Sequence, residues 1–349
     1  MSITWFLITA LIAIIGGYAA QKLHVPAGAL IGSMIAVTVL NLVSEQAVMP
    51  SEMKLVSQIA TGAYIGAKIS KKEVTDLKKI LLPAVIMTAM LILFTVGVGC
   101  VIHLVTGLDI ATSLFAMAPG GIADMTLAAM DFHADVSTVA LLQTIRLIFL
   151  LLAIPPVIRY YTKKDGGTQR ETQKETGTKE KKAFRVDNLL LTLCVGSICG
   201  VLGKMLGVPA GGIVFSMAGC IVFNLLTERG FMPVSLRRFV QMLAGALIGT
   251  SIGRAEVLQM KEMWPVVLMA MACFLALDLI ASSLIVRFTQ MDRTTALFSC
   301  SPGGMTDLTL IAEEYGADTL KVAGMHTIRM TSVVAFYPII IGILTRVFA

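Results

Sequence analysis

Long apolar segments alternate with short polar connections along almost the whole chain. In the first half, the predicted helical segments lie near 4–20, 27–44, 53–68, 80–104 and 137–161. Each is about 16–25 residues long, close to the roughly 20 residues that an α-helix needs to cross a bilayer. The pattern predicts an all-α integral membrane protein with about five transmembrane helices in each half.

The pattern occurs twice, with equivalent positions separated by a constant spacing. The tripeptide Thr-Ile-Arg that ends at Arg146 returns with its end at Arg329, and the dipeptide Met-Pro that ends at Pro50 returns at Pro233. We call the interval between Arg146 and Arg329 the repeat spacing. One spacing sustained over about 130 residues indicates an internal duplication. We therefore divide the chain into a first membrane repeat, a polar linker and a second membrane repeat, at 1–162, 163–187 and 188–349.

Each repeat contains one helix-breaking segment inside an apolar region. Ala-Pro-Gly-Gly occupies 118–121, Ser-Pro-Gly-Gly occupies 301–304, and an aspartate follows three residues after the second glycine in both. Proline and glycine interrupt helices, and in lipid the freed backbone groups need protein or water partners. The half-segment 110–118 would rise only about 14 Å, roughly half a bilayer. The broken element is therefore either a re-entrant hairpin or a discontinuous span.

Composition supports a membrane location. Of the 349 residues, 56% are hydrophobic and 14% are charged, whereas soluble domains carry about 25% charged residues. The net charge of +6 does not indicate direct nucleic-acid binding, because eight basic residues lie in the linker. Such a loop is typical of the cytoplasmic face under the positive-inside rule. We expect a multi-pass protein of the cell (inner or plasma) membrane with a cytoplasmic linker.

Charge also predicts the topology. The loop 68–79 is rich in lysine and should be cytoplasmic, whereas the loops 105–109 and 131–136 contain no Lys or Arg and should lie outside. This favours a re-entrant broken element, five true spans and an external N-terminus. An odd number of spans inverts the second repeat. Its equivalent loop loses basic residues accordingly, since Lys79 is replaced by Glu262.

The candidate chemistry lies around the two breaks. Asp124 begins a half-helix, and Arg146 lies about ten residues into the fifth span, roughly 15 Å deep. Unpaired charge at that depth is costly, so we expect Asp124 to pair with Arg146, and Asp307 with Arg329. Such pairs are either structural or part of a binding site.

Further polar residues complete the candidate set. Gln143 and its equivalent His326 lie one turn before the arginines, and Asp278 lies in the middle of the span 263–286, as a coupling-ion site or a residue facing a water pocket. The candidate substrate- or ion-binding residues are Pro119, Gly120, Gly121, Asp124, Thr126, Gln143, Arg146, Asp278, Pro302, Gly303, Gly304, Asp307, Thr309, His326 and Arg329.

The duplicated Pro-Gly-Gly-x-x-Asp segments, the Thr-Ile-Arg motifs and the Val-Pro-Ala-Gly turns resemble the AbrB-type membrane proteins over nearly the whole chain. Members of that family have been described as regulators of gene expression and as ammonia monooxygenases. The family shares its name with a small soluble DNA-binding regulator, which no part of this chain resembles. The four histidines are scattered, so we predict no metal site, no cofactor and no enzymatic activity.

Three functional classes follow. Inverted repeats whose broken helices meet near the midplane are the layout of many secondary transporters. This favours a transporter or channel for a small polar or anionic solute, coupled to a proton or cation. A membrane-embedded sensor that influences gene expression indirectly is the alternative, and a membrane enzyme is disfavoured. The expected partners are the lipid bilayer and the solute; the oligomeric state is not predicted.

The inverted topology predicts the outcome of a labelling experiment. Single cysteines introduced at Ser70 and Gly253, which are equivalent positions, should react with a membrane-impermeant maleimide from opposite sides of the membrane. The reason is the reversed distribution of basic residues in the two repeats. The six native cysteines must first be replaced. Labelling of both positions from one side would contradict the inversion.

Overall fold

The computed structural model describes residues 3–25, 27–69, 71, 80–164, 186–208, 210–254, 258, 264–289, 291–303, 308–309, 311–312 and 315–348. Within these residues every regular element is helical. The helices are α1 (Ile3–Lys22), α2 (Gly28–Ser44), α3 (Glu52–Lys68), α4 (Leu81–Thr106), α5 (Ile110–Met117), α6 (Ile122–Ala129), α7 (Val136–Lys164), α8 (Val186–Met205), α9 (Gly211–Thr227), α10 (Val234–Thr250), α11 (Trp264–Phe288), α12 (Arg293–Cys300) and α13 (Thr319–Phe348), with a 3₁₀ turn at Met130–Phe132.

The helix boundaries reproduce the sequence duplication. The helices α1, α2, α4, α5 and α7 begin at positions that the repeat spacing places in register with the first residues of α8, α9, α11, α12 and α13, respectively. Each helical segment predicted in the first half corresponds to one helix of the structure, within three residues at either end. The all-helical prediction is therefore confirmed for the described residues. Most of the linker and of the basic loop 68–79 lies outside them.

Six of the described helices are long and apolar enough to cross a membrane: α1, α4, α7, α8, α11 and α13. Leucines on these helices face outward, such as Leu11 on α1, 58% exposed, and Leu93 on α4, 77% exposed. Lipid is the medium in which such side chains are favourable. The remaining pairs α2/α9 and α3/α10 have 17 residues each and rise about 25 Å, at the lower limit for spanning.

The helices form two bundles, and each bundle takes helices from both repeats. The first contains α1–α3 and α8–α10, and we call it the glycine-rich bundle. The second contains α4–α7 and α11–α13, and we call it the hairpin bundle because it holds the broken segments. Contacts are dense within each bundle. Between the bundles they are sparse and are made chiefly by α6 against α3 and α10.

Reciprocal contacts join the two repeats within the glycine-rich bundle. The Asn41 side chain at the end of α2 donates hydrogen bonds of 3.2 Å to the backbone carbonyls of Thr250 and Ile252. Its equivalent, Asn224, donates to the equivalent carbonyls of Ala67 and Ile69 at 2.9 and 3.0 Å. The repeats are thus related by a local two-fold arrangement in which α2 lies along α10 and α9 lies along α3.

Glycines allow these helices to approach closely. A Cβ atom at Gly245 would meet the backbone oxygen of Leu30 and the hydroxyl of Ser33, and one at Gly62 would meet the backbone of Ile213. Small residues at such crossings let helix backbones pack together in membranes, where packing and hydrogen bonds replace the hydrophobic effect as the force for association. The glycine-rich bundle is accordingly packed backbone against backbone.

The packing at Gly245 predicts the effect of one methyl group. Gly245→Ala should lower the thermal unfolding temperature of the detergent-purified protein, because overpacking of a tight core costs about 1–3 kcal/mol. Gly97→Ala is the matched control, since a Cβ at this position of α4 meets nothing within 4 Å. Equal stability of the two variants would contradict the close packing.

Candidate functional site

The break in the first repeat separates two short helices that return to a common end. The helices α5 and α6 have eight residues each, and Ala118 to Gly121 lies extended between them. At the start of α5 the hydroxyl of Thr112 donates to Asp109 at 2.7 Å and accepts from the backbone N–H of Asp135, beyond α6, at 2.8 Å. The two ends of the broken element are therefore tied together.

The same tie is present in the second repeat. The N–H of Asp318 donates to the hydroxyl of Thr295 at 2.9 Å, and the carboxylate of Asp292 caps α12 by accepting from the N–H of Thr295. The start of α13 is thereby fixed to the start of α12. Both broken elements are anchored by a threonine and an aspartate of equal sequence position.

An arginine from α7 donates hydrogen bonds to the backbone carbonyls of the first break. The guanidinium of Arg146, 2% exposed, donates to the carbonyl of Ala118 and, at 2.9 Å, to that of Gly120. One turn earlier, the amide of Gln143 donates to the carbonyls of Phe115 and Ala118 at 2.7 and 3.2 Å. These are the carbonyls that lose their helical partners where the chain leaves α5. The two side chains thus replace the missing helical hydrogen bonds.

The second repeat uses the same device with one difference. Arg329 donates to the carbonyls of Ser301 and Gly303 at 2.6 and 3.4 Å. Where the first repeat has Gln143, the second has His326, which faces the backbone of Phe298. Neither ring nitrogen of His326 has a hydrogen bond of normal geometry among the described residues.

The expected ion pair between Asp124 and Arg146 is not formed, so this prediction was wrong. Arg146 is turned to the carbonyls of the break, and the carboxylate of Asp124 lies against Gly121 instead. Its buried oxygen Oδ2 has no hydrogen-bond partner among the residues that the structure describes. The positive charge of Arg237 of α10 acts on this carboxylate. A Pro-Gly-Gly break offers several carbonyl acceptors at once, and these satisfy the planar guanidinium.

The other predicted residues fall into three groups. Thr126 and Pro302 are buried, Gly303 and Thr309 are half-buried, and all lie on or beside the broken segments. Gly304 and Asp307 lie outside the described residues, so the pairing of Asp307 with Arg329 stays a prediction. Asp278 is fully buried in α11, with neither carboxylate oxygen partnered among described groups, and it lies near Arg329 and Cys300.

The two repeats bring their arginines together. Arg146 and Arg329 lie near enough to repel each other electrostatically. Arg146 also lies over the ring of Phe274, 5.4 Å from its centroid, and a tyrosine that the sequence did not single out, Tyr337, donates to the carbonyl of Leu114 at 3.2 Å beside it. The centre of the hairpin bundle is therefore a buried cluster with two cations and the carboxylate of Asp278, which has no hydrogen bond among the described residues. No group of three potential metal ligands occurs in the described part.

A second polar cluster was missed at the junction of the two bundles. Asp131, at the end of the first broken element, contacts Lys54 and Gln58 of α3. At another place on the junction, Arg237 of α10 lies on the ring of Tyr64. Lys54 and Gln58 correspond in the repeat alignment to Arg237 and Gln241, and this preserved chemistry is the signal by which the sequence could have revealed them.

The fold and the site define a multi-pass helical membrane protein built from a duplicated domain, with buried charges around two interrupted helices. The comparisons agree with this class. The chain belongs to the AbrB family: it matches the family described as "Transition state regulatory protein AbrB" over residues 1–162 and 216–347. The resemblance drawn from the sequence motifs is confirmed.

Two curated relatives match almost the full chain. The "Putative regulator AbrB" of Escherichia coli (strain K12) is 27% identical over 323 residues, which cover 91% of this chain and 90% of the relative. The "Uncharacterized protein YhjN" of Bacillus subtilis (strain 168) is 23% identical over 352 residues, which cover 96% of this chain and 91% of the relative.

The different environments of the two buried charges predict stability effects of unequal size. Arg146→Gln should lower the free energy of unfolding by about 3 kcal/mol, because two hydrogen bonds from a charged group are lost. Asp124→Asn should change stability by no more than about 1 kcal/mol, because the buried carboxylate oxygen has no hydrogen bond to lose and only the charge in the first turn of α6 is removed. Thermal unfolding in detergent measures both, with Arg287→Gln at the exposed end of α11 as control. Equal losses for Arg146→Gln and Asp124→Asn would restore the ion-pair interpretation.

Proposed function

We propose that this protein is a secondary transporter of a small polar or anionic solute, coupled to a proton or cation, in the cell membrane. One observation carries the proposal: Asp124 is buried beside an interrupted helix, and its buried carboxylate oxygen has no hydrogen-bond partner among the described residues. Ionisable groups inside membranes are costly and mark ion or substrate pathways. A buried carboxylate oxygen without a hydrogen bond is available to bind a proton, a cation or a solute.

Helix directions support an inverted arrangement of the two repeats. The N–H of Val48, between α2 and α3, donates at 3.2 Å to Thr9 near the start of α1, so the end of α2 lies where α1 begins. Because α2 ends at Ser44 and α3 begins at Glu52, α3 starts on the same side and returns antiparallel to α2. The equivalent bond joins Phe231 to Thr192 at 3.1 Å. Because α9 lies along α3 in the same direction, the two equivalent helices α2 and α9 run oppositely. Inverted repeats of this kind underlie alternating access in many transporters.

The tied ends of the broken elements support the re-entrant form. A discontinuous span would carry its two ends to opposite faces of the membrane, whereas Thr112 and Asp135 are hydrogen-bonded to each other. Two eight-residue helices, each rising about 12 Å, then reach the membrane interior from one face and return. With the linker cytoplasmic, this gives five spans in each repeat.

The charges support a polar or anionic solute. Arg146 and Arg329 bring two positive charges to the centre of the hairpin bundle, and the N-terminus of α6 adds the positive end of a helix dipole. Asp278 lies near Arg329, and Asp124 lies on α6 near Arg237. Both carry carboxylate oxygens without hydrogen bonds among the described residues, and each suits a coupling proton or cation. No reaction is assigned to the site, and we infer that the protein is not an enzyme.

A regulatory role is the second candidate, and the printed name of the Escherichia coli relative, "Putative regulator AbrB", favours it. In that case the same buried cluster would bind an effector without moving it across the membrane. Transport measurements on the purified protein separate the two roles, because a sensor gives no solute current.

Reconstituted protein tests the transport proposal. Proteoliposomes on a solid-supported membrane are challenged with acetate, lactate, succinate and malate, each with and without a proton or sodium gradient. We expect a gradient-dependent current for at least one of them. Asp124→Asn should abolish the dependence on the gradient while the protein stays folded, because the coupling site loses its charge. Asp187→Asn, an exposed carboxylate at the start of α8, is the control.

Two outcomes would contradict the assignment. Gradient-dependent currents of wild-type size in Asp124→Asn would move the coupling role to Asp278. Absence of current for every solute in the wild-type protein, under all gradients, would favour the regulatory role.

A further inference from the structure

A cavity of about 380 Å³ lies where the glycine-rich bundle meets the end of the first broken element. This volume is in the range of small-molecule sites. Its lining is formed by the start of α3, the turn between α8 and α9, and Asp131 of the hairpin bundle. The charged and amide groups on its wall are Glu52, Lys54, Gln58, Asp131 and Lys204. The cavity is thus polar, and none of its groups belongs to the buried arginine cluster.

The wall of this cavity holds a carboxylate by three donors. The ammonium of Lys54 lies 2.5 Å from Oδ1 of Asp131. The amide of Gln58 and the backbone N–H of Ala210 donate to Oδ2 at 2.9 and 3.0 Å. All three donors belong to the glycine-rich bundle, whereas Asp131 belongs to the hairpin bundle. The glycine-rich bundle therefore presents a carboxylate-binding site, and in this structure the other bundle fills it.

The donors are held in place before any ligand arrives. Gln58 is 3% exposed and also donates to the backbone carbonyl of Leu127. Gly212 lies directly against it, and a Cβ atom at Gly212 would meet the side-chain oxygen of Gln58. Ala210 precedes α9, so its N–H lies at the positive end of a 17-residue helix. A fixed amide, a helix start and a lysine form a site for one carboxylate group.

The sequence repeats this set as a unit. At the repeat spacing, the cation, the amide and the carboxylate recur as Arg237, Gln241 and Glu314. Glu314 lies outside the described residues. Arg237 lies 4.3 Å from the ring centroid of Tyr64 and donates to its hydroxyl at 3.2 Å. Lys54 in the first repeat thus contacts the hairpin bundle. Its equivalent in the second repeat, Arg237, lies on the ring of Tyr64 within the glycine-rich bundle.

We propose that Lys54, Gln58 and the Ala210 amide bind the carboxylate of a small organic acid, and that Asp131 occupies this site when the acid is absent. The proposal rests on the transport function and names its substrate class. The adjoining cavity accommodates the rest of the solute. When Asp131 leaves, Lys54 and Lys204 face Glu52 alone, so the wall becomes net positive. Solute binding therefore replaces the polar tie between the bundles and frees them to move.

Ligand-dependent thermal unfolding of the detergent-purified protein tests this competition without any transport step. The probes are acetate, lactate, succinate and malate, with uncharged succinamide as reference. Removal of the competitor in Asp131→Asn should lower the half-saturating concentration of at least one carboxylate about tenfold, if Asp131 fills the site about nine-tenths of the time. Asp131→Ser provides a second variant should the asparagine variant fold poorly. Lys54→Gln should abolish the stabilisation by carboxylates.

The matched control is Arg254→Gln. Arg254 forms an exposed ion pair with Glu45 at 3.7 Å and does not line the cavity, so its removal should leave the carboxylate response unchanged. If Asp131 is only a structural partner, both Asp131 variants will lose stability and respond to carboxylates no better than the wild-type protein, which overturns the proposal. Tighter carboxylate binding without any transport current would remove the transport function and keep the site. A transport current, together with carboxylate binding that is the same in the Asp131 variants and the wild-type protein, would keep the transport function and remove the site.

Discussion

The guanidinium of Arg146 against the carbonyls of Ala118 and Gly120 is the contact on which the hairpin bundle depends. Inside a bilayer, each backbone group without a partner costs several kcal/mol, so a Pro-Gly-Gly break requires donors at its own depth. A guanidinium, with five N–H groups in one plane, can serve two carbonyls at once and keeps its charge. The position of α7 beside α5 and α6 follows from this requirement. In the second repeat, Arg329 of α13 donates to the carbonyl of Ser301 in the same way.

Since the arginines donate to backbone carbonyls, they do not form ion pairs with the neighbouring aspartates of the described part. A buried ion pair would have neutralised Asp124 and Arg146 together and fixed both. Instead the cation stabilises the structure, and the carboxylate keeps an oxygen without a partner among the described residues. The same separation recurs at Asp278, whose neighbour Arg329 is likewise committed to the break. Among the described residues, the charges that stabilise the breaks and the charges without hydrogen bonds are thus carried by different side chains.

The sequence predicted the elements well and the partners poorly. Hydrophobic segments, the repeat spacing and the two breaks can be read directly along the chain, so the helices and the duplication could be predicted from them. The partners of Arg146 could not be predicted in this way. They are backbone carbonyls, which every residue carries, so no residue type in the sequence marks them. The packing of helices from both repeats into one bundle was also not predicted. The side chains of Asn41 and Asn224 make the contacts that join the repeats. The Lys54–Asp131 contact was recoverable only by comparing equivalent positions across the repeats.

The two kinds of interface decide where the molecule can move. Within the glycine-rich bundle, helix backbones touch at Gly62 and Gly245, and a packed contact of this kind does not slide without opening voids. Between the bundles the contacts are few, and the tie through Lys54 and Asp131 has side chains that are 25% exposed. A partly exposed ion pair contributes only about 1 kcal/mol, which the binding of a small anion can offset. In the proposed transporter, a change of access would therefore take place at the junction of the bundles, with the hairpin bundle moving as a unit that carries its buried charges.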